Sequence, residues 1–229
     1  MKPTLLLILA LLCLISCKQN PSPEAHATPT EQELNPDHYT PAERIAMAYG
    51  IDNWEQVNEL AFTFNVAWDG GAFDRSFVWY PKDDRVVFTS ATDTVDYIRS
   101  QVDSLSLGAD QRFINDKYWL LVPFQLVWDQ GVTFEEVVQE AAPISGTMMN
   151  KLTYSYGDEG GYTPGDAYDL YYTDDYTVHE WVYRKGGQPE PSRTYTWEDH
   201  KEIGGIRFAA MHKDTTPGFK LFFTDVKVN

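Results

Sequence analysis

The sequence predicts an α+β protein, mainly β, built on a curved antiparallel sheet. Three observations carry this. From Leu60 onward, apolar and polar residues alternate: Leu60, Phe62, Phe64, Val66 and Trp68 are set against Ala61, Thr63, Asn65, Ala67 and Asp69. That period of two marks a strand with one buried face. Turn signals such as Asp69-Gly-Gly71 and Gly204-Gly205 recur at short spacing, which suits hairpins and leaves no room for the crossover helices that parallel strands require. One segment breaks the pattern. In Phe113–Trp128, eleven of sixteen residues are apolar or aromatic. Asn115, Asp116, Lys117 and Gln125 interrupt it, whereas a membrane span takes about 18 or more apolar residues in succession. The segment is therefore read as helical and buried against the sheet.

The chain opens with Lys2 and a compact apolar run, Leu5 to Ile15. This is too short to span a bilayer and reads as a secretory signal. It ends in Leu14-Ile15-Ser16-Cys17, which resembles a bacterial lipobox and implies cleavage before Cys17 and lipid attachment to its thiol. Cys13 and Cys17 are the only cysteines. Loss of the first and lipidation of the second leave the body with no disulfide, thiolate metal site or Cys nucleophile. Two acyl chains supply the double signal that stable anchoring needs. Residues 1–16 are thus assigned to a signal peptide, 17–38 to the lipidated Cys and a tether, and 39–229 to one domain. From Lys18 to about Asn35 the chain is rich in Pro, Ser, Thr, Gln and Glu, and a coil of that length spans roughly 20–30 Å.

Thr40 is a candidate N-cap, with Pro41 and Glu43 in the first turn and Gly50 as the stop. Ile45, Ala46 and Tyr49 form the apolar stripe. A short second helix from Asp52 or Asn53 carries Trp54 and Val57. Strands follow over Leu60 to Trp68, Ala72 to Tyr80, Arg85 to Ala91 and Thr94 to Ile98, with a turn at Pro81-Lys-Asp-Asp84. Asp110 is placed as the cap of a helix carrying Phe113, Tyr118 and Leu121, which Pro123 ends or kinks by removing a backbone donor. A second short helix then runs through Val127. In the later half, Leu152, Tyr154 and Tyr156 share a strand face. Tyr168, Leu170 and Tyr172 share the next, after a Gly-rich loop from Gly157 to Gly165. Val178 and Val182 are read on one face of the following strand, with His179, Trp181 and Tyr183 on the other. Strands over Ser192 to Glu198, Ile206 to Lys213 and Phe219 to Val228 complete the chain. No internal repeat is present.

The formal net charge is −16, and loss of Lys2 with the leader makes the remainder more negative. Nucleic-acid affinity comes largely from Lys and Arg releasing counterions, so a nucleic-acid partner is not expected. Anionic headgroups are repelled too, and membrane attachment falls to the acyl chains. His179-Glu180 lacks the second His of a zinc-protease motif, and neither a Gly-x-Ser-x-Gly elbow nor a phosphate-binding Gly-x-x-x-x-Gly-Lys loop occurs. Asp166, Asp169, Asp174 and Asp175 offer hard oxygen ligands without the spacing of an EF-hand, and they suit turns equally. His179 and His212 lie in strand patterns and are read as hydrogen-bonded strand residues. No catalytic residue, metal or cofactor is assigned, and the protein is not expected to be an enzyme.

Seven Trp and 14 Tyr are the positive signal, since both ring types combine apolar area with a polar handle. Three uses stay open. The rings fill a core; or they line a cavity formed by Phe62, Phe64, Val66, Trp68, Trp79, Trp119, Phe124 and Trp128; or Trp79, Trp181 and Trp197 form an outward platform for sugar rings.

Asn53-Trp54, Phe62-Thr-Phe-Asn65 and Phe77-Val-Trp-Tyr80 resemble the start of LolA-like domains. The segments Phe113 to Asp129, Gly161-Tyr-Thr-Pro-Gly-Asp-Ala-Tyr-Asp-Leu170 and Glu180-Trp-Val-Tyr-Arg184 resemble an uncharacterised group of Bacteroidota lipoproteins associated with the LolA/LolB-like, lipoprotein-sorting superfamily. The resemblance covers about Pro41 to Val228. It implies an incomplete half-barrel with helices packed in its concave face as a lid, and a lipid or acyl ligand, or a lipoprotein, held between them. No family-defined functional residue carries over. The expectation is a lipid-anchored, non-catalytic binding protein of the cell envelope. Lys18 after the lipidated Cys, in place of a retention Asp, favours the outer membrane, with the periplasmic or surface face open. A glycan-binding or glycan-processing lipoprotein, and an interaction domain with a self-filled cavity, are the alternatives. Oligomeric state is not assigned.

Overall fold

The structure is a computed structural model, in which residues 38–158 and 164–229 are described. Residues 1–37, which hold the expected signal peptide, Cys17 and most of the expected tether, lie outside the described residues, as do 159–163 of the Gly-rich loop.

Helix α1 (Pro41–Ala48) begins as the sequence predicts. Thr40 Oγ1 accepts the Glu43 backbone N–H, and Thr40 N–H donates to Glu43 Oε2 at 2.7 Å. This reciprocal box satisfies two donors that a helix start leaves bare. Gly50 leaves the helix with φ +90°. A Cβ there would also collide with the Gly205 carbonyl oxygen, so both conformation and space require glycine. Asn53 Nδ2 donates to that same carbonyl at 2.9 Å, and Arg207 N–H donates to Tyr49 O at 2.9 Å. The helix is thereby fastened to a hairpin some 150 residues away in sequence. Residues Ile51–Gln56 form a 3-10 turn.

Among the described residues twelve strands follow: β1 (Leu60–Trp68), β2 (Gly71–Tyr80), β3 (Arg85–Thr89), β4 (Thr94–Ile98), β5 (Val132–Ala141), β6 (Met148–Tyr156), β7 (Ala167–Tyr172), β8 (Val178–Arg184), β9 (Arg193–Thr196), β10 (Glu198–Ile203), β11 (Ile206–His212) and β12 (Lys220–Val228). Helix α2 (Leu107–Trp128) lies between β4 and β5 in the chain. Among the described residues these strands form two antiparallel sheets, ordered β10-β11-β12-β1-β2-β3-β4 and β5-β6-β7-β8-β9, and no closed barrel. The protein is α+β, mainly β, with curved antiparallel sheets, as expected from the sequence. Only Trp197 separates β9 from β10. Its N–H donates to His179 O at 2.7 Å, and the Thr196 N–H donates to Lys213 O at 2.8 Å, so the two sheets meet at this residue.

Three details depart from the sequence reading. Strands β5 and β10 were not predicted. Val132–Ala141 is mostly exposed along its length, and Glu198–Ile203 has no fully buried residue. Both are edge strands, where pairing on one side leaves no strong apolar alternation to read. Second, Val178 and Val182 do not share a face. Tyr171 pairs with Glu180 and Tyr172 with Val178, which leaves His179 as the extra residue of a bulge. An inserted residue reverses the facing of the residues after it. Val178 enters the main core, while Val182 packs with Ala142, Met149 and Tyr171. Third, α2 starts at Leu107, and Asp110 is not its cap. Its buried carboxylate accepts Tyr97 OH at 3.2 Å and Arg99 Nε at 3.1 Å. The break near Pro123 is as the sequence predicts: α2 is kinked where Leu121 leaves helical geometry (φ −120°, ψ 18°), two residues before Pro123. Among the described residues no helix is long and apolar enough to cross a membrane.

Helix α2 is sandwiched between the sheets. Phe113 packs on Phe77 and Trp79 of β2, and Asp116 pairs with Arg75 of β2. Tyr118 reaches Tyr154 of β6, while Trp119 meets Trp181 of β8 and Tyr195 of β9.

Candidate ligand-binding cleft

On the side of α2 that faces the five-stranded sheet lies a half-open cleft of about 1070 Å³, at the top of the roughly 300–1,000 Å³ range of small-molecule sites. Strand register builds its floor. Tyr168 on β7 stands opposite Tyr183 on β8, and Trp181 lies two residues along the same face. Tyr168 stacks on Trp181 at 5.3 Å and 15°, and on Tyr183 at 5.2 Å and 30°. From α2, Trp119 stands edge-on to Trp181 at 4.6 Å and to Tyr195 at 4.8 Å. Aromatic pairs favour such offset and edge arrangements.

The polar ends of these rings are largely taken up by one another. Tyr118 OH lies 2.8 Å from Tyr154 OH and 3.1 Å from Tyr156 OH. Trp181 Nε1 donates to Tyr154 OH at 3.3 Å, Tyr156 OH donates to Asp129 Oδ2 at 2.5 Å, and Tyr183 OH donates to Asp166 Oδ2 at 2.9 Å. Burial pushes the Tyr118 and Tyr154 phenols well above their ordinary value, and burial followed by the Asp166 carboxylate takes Tyr183 up to about 12. All three stay neutral at physiological pH.

Lys117 is the buried cation of the cleft, 8% exposed. Its Nζ lies 5.5 Å from the Trp79 ring centre, 6.0 Å from Phe113 and 5.9 Å from Trp128. With the Gln125 amide oriented to satisfy both its atoms, the amide oxygen accepts from Lys117 Nζ at 3.2 Å and the amide nitrogen donates to Asp129 Oδ1 at 3.1 Å. Burial, then repulsion from Arg99, pulls the Lys117 pKa down to about 8, against the opposing pull of Asp129 and Asp110.

The eight residues expected to line a cavity divide. Trp119 lines this cleft. Phe62, Phe64, Trp79 and Phe124 are buried in the core, and Val66 is packed against it. Trp128 lies against Trp54 and Phe124, and Trp68 is 45% exposed beside Phe73 near the β1–β2 turn. The space between α2 and the seven-stranded sheet is filled by Phe77, Trp79, Phe113 and their neighbours, so the cleft opens toward the other sheet. Tyr118, Tyr156, Tyr168, Tyr183, Tyr195 and Lys117 were not selected from sequence, and Trp181 was considered there for an outward platform rather than a cleft, although aromatics recurring on β6, β7, β8 and β9 were a visible signal. Trp79, Trp181 and Trp197 are 8%, 4% and 2% exposed and form no outward platform.

The acidic cluster is spent on structure. Asp169 holds Arg184 through two bonds of 2.6 and 2.7 Å and accepts Thr153 Oγ1. Asp166 accepts Gly186 N–H, and Asp175 accepts Thr173 and Thr177. Among the described residues no three His, Cys, Asp or Glu side chains are grouped to hold a metal. His212 is fully buried. Its Nδ1 faces the Thr196 carbonyl at 3.2 Å and so carries the hydrogen, and burial lowers its pKa to about 3. It is a neutral core residue. His179 lies beside His200 at 6.0 Å and Thr173 at 3.4 Å.

No family model matches the sequence, and no curated protein matches it. Among solved structures, the chain is similar to the crystal structure of a DUF1329 family protein from Desulfovibrio piger, with a TM-score of 0.44 and 10% identity over 83% of this chain and 94% of that one.

Proposed function

We propose that this protein binds a small amphipathic molecule, with its apolar part against the rings of the cleft between α2 and the five-stranded sheet, and that it catalyses no reaction. The observation that carries this reading is the mutual hydrogen bonding of Tyr118, Tyr154, Tyr156 and Trp181. With those hydroxyls and the indole N–H engaged, the floor offers ring faces rather than free polar groups. A sugar needs open donors and acceptors; an acyl chain does not. Each CH₂ removed from water contributes about 0.8 kcal/mol, so a chain of about ten carbons supplies roughly 8 kcal/mol before the losses of association. An open cleft of this size also argues against a self-filled interaction domain.

The lipobox-like Leu14-Ile15-Ser16-Cys17 and the resemblance to LolA/LolB-like lipoproteins support a lipid-anchored, outer-membrane location and a lipid or acyl ligand. The test is native mass spectrometry of the protein purified from membranes. A co-purifying lipid-sized adduct is expected, and Ile114→Trp, which puts bulk at a cleft-lining position, is expected to lose it. A bare chain that also fails to take up added dodecanoate would sink the reading.

A further inference from the structure

We infer that the ligand carries an anionic group, a carboxylate or phosphate monoester, bound by Lys117 with Arg99 beside it at one end of the cleft. This rests on the cleft being the binding site, and it names the chemistry of what binds. Three observations lead to it.

Lys117 is a buried ammonium with three donors. Among the described residues its hydrogen-bond partner is the Gln125 amide oxygen. No carboxylate there lies within ion-pair distance of it, while the ion pairs around it are made by other cations: Arg75 with Asp116, and Arg99 with Asp110. Buried charges are ordinarily paired, so this one is held in reserve. Asp129, the nearest candidate counter-ion on the cleft wall, is engaged by Tyr156 OH and by the Gln125 amide nitrogen.

Arg99 also lines the cleft and repels Lys117. Two cations close enough to disfavour each other gain jointly when an anion arrives. Among the described residues Arg99 hydrogen-bonds Asp110 from Nε at 3.1 Å, and no bond there engages its terminal nitrogens, which suit a second acceptor.

The charge balance of the cleft runs against that of the chain. The protein carries −16, yet the described cleft lining contains Arg99, Lys117 and Arg193 against Asp129 and Asp158. A locally positive, ring-walled cleft in an acidic protein selects an amphiphile with a negative head. The aromatic rings around the Lys117 ammonium keep it desolvated, which strengthens the pairing with an anion.

The test compares three probes by isothermal titration calorimetry on delipidated full-length protein: dodecanoate, dodecyl phosphate and the uncharged methyl dodecanoate. At least one anion is expected to bind the unaltered protein about tenfold or more tighter than the ester. Lys117→Gln is expected to remove most of that preference, with the parent's circular-dichroism spectrum and a cooperative thermal transition showing that the variant is folded. The tighter of the two anions assigns the head as carboxylate or phosphate. If neither anion exceeds the ester, or if the preference survives in Lys117→Gln, the anion site is overturned and the cleft reading stands. If none of the three probes binds, the cleft reading falls and the anion site falls with it.

Discussion

Replacing Lys117 with Met separates what this residue does for the fold from what it does for a ligand. The side chain is 8% exposed, and its pKa is lowered from 10.5 to about 8. A depressed Lys pKa means that folding disfavours the proton. At pH 7 both folded and unfolded chains carry it, and the folded state bears the full penalty. One pKa unit corresponds to about 1.4 kcal/mol, so the penalty is about 3 kcal/mol. Stability recovers as pH rises from about 8 toward 10.5, because there the unfolded chain holds the proton and the folded chain has released it. Met fills a similar volume without charge. Allowing about 1 kcal/mol for lost attraction to the surrounding rings, Lys117→Met should be about 2 kcal/mol more stable at pH 7. For a domain of this size that raises Tm by about 4–8 °C. Between pH 7 and 9.5 the advantage should shrink by about 2 kcal/mol. Thermal unfolding of ligand-free protein at both pH values reads this directly. If the variant melts at or below the parent at pH 7, with the same difference at pH 9.5, the charge is solvated and the reasoning about it is wrong. A stabilising substitution that abolishes anion binding would identify Lys117 as a residue kept at the expense of the fold.

Two other changes test separate parts of the account. Asp116 is wholly buried and held by Arg75 through Nε and Nη2 at 2.5 and 2.6 Å; burial still leaves its pKa raised, against the opposing pull of the guanidinium. Arg75→Met should cost about 3–5 kcal/mol by stranding that carboxylate, and adding Asp116→Leu should restore most of it. A loss below about 1 kcal/mol in denaturant unfolding would show that the pair does not join α2 to β2. At the N-terminus, Cys17→Ser should move the protein from the membrane fraction to the soluble envelope fraction and abolish labelling by an alkyne-tagged palmitate. Persistent membrane association would remove the lipid anchor from the proposal.

Much of the architecture was legible in the residues themselves. The Thr40–Glu43 box, the left-handed Gly50, the alternation of β1 and the break before Pro123 depend on contacts within a few positions, so sequence spacing alone specifies them. The edge strands β5 and β10 were not legible, because a polar strand paired on one side carries little burial pattern. The His179 bulge was hidden for a related reason: a single inserted residue reverses facing without altering composition. The cleft was the largest departure. Alternation correctly placed Phe62 and Phe64 on an inward face, but it could not say which of the two surfaces of α2 would be filled.

What the sequence determined by itself was local: the cap of α1, turns, strand periods, the kinked apolar helix, and a strongly acidic composition. What only the tertiary structure decided was which rings meet. Phe113 and Trp79 close the space on one side of α2 through long-range packing, while Tyr118 and Trp119, on the same helix, face β6, β8 and β9 across an opening. Helix geometry spreads consecutive residues around its axis, so Lys117, one position before Tyr118, reaches back to the rings of Trp79 and Trp128 while still lining that opening. Its meaning as a buried charge depends on neighbours that no spacing in the chain reveals.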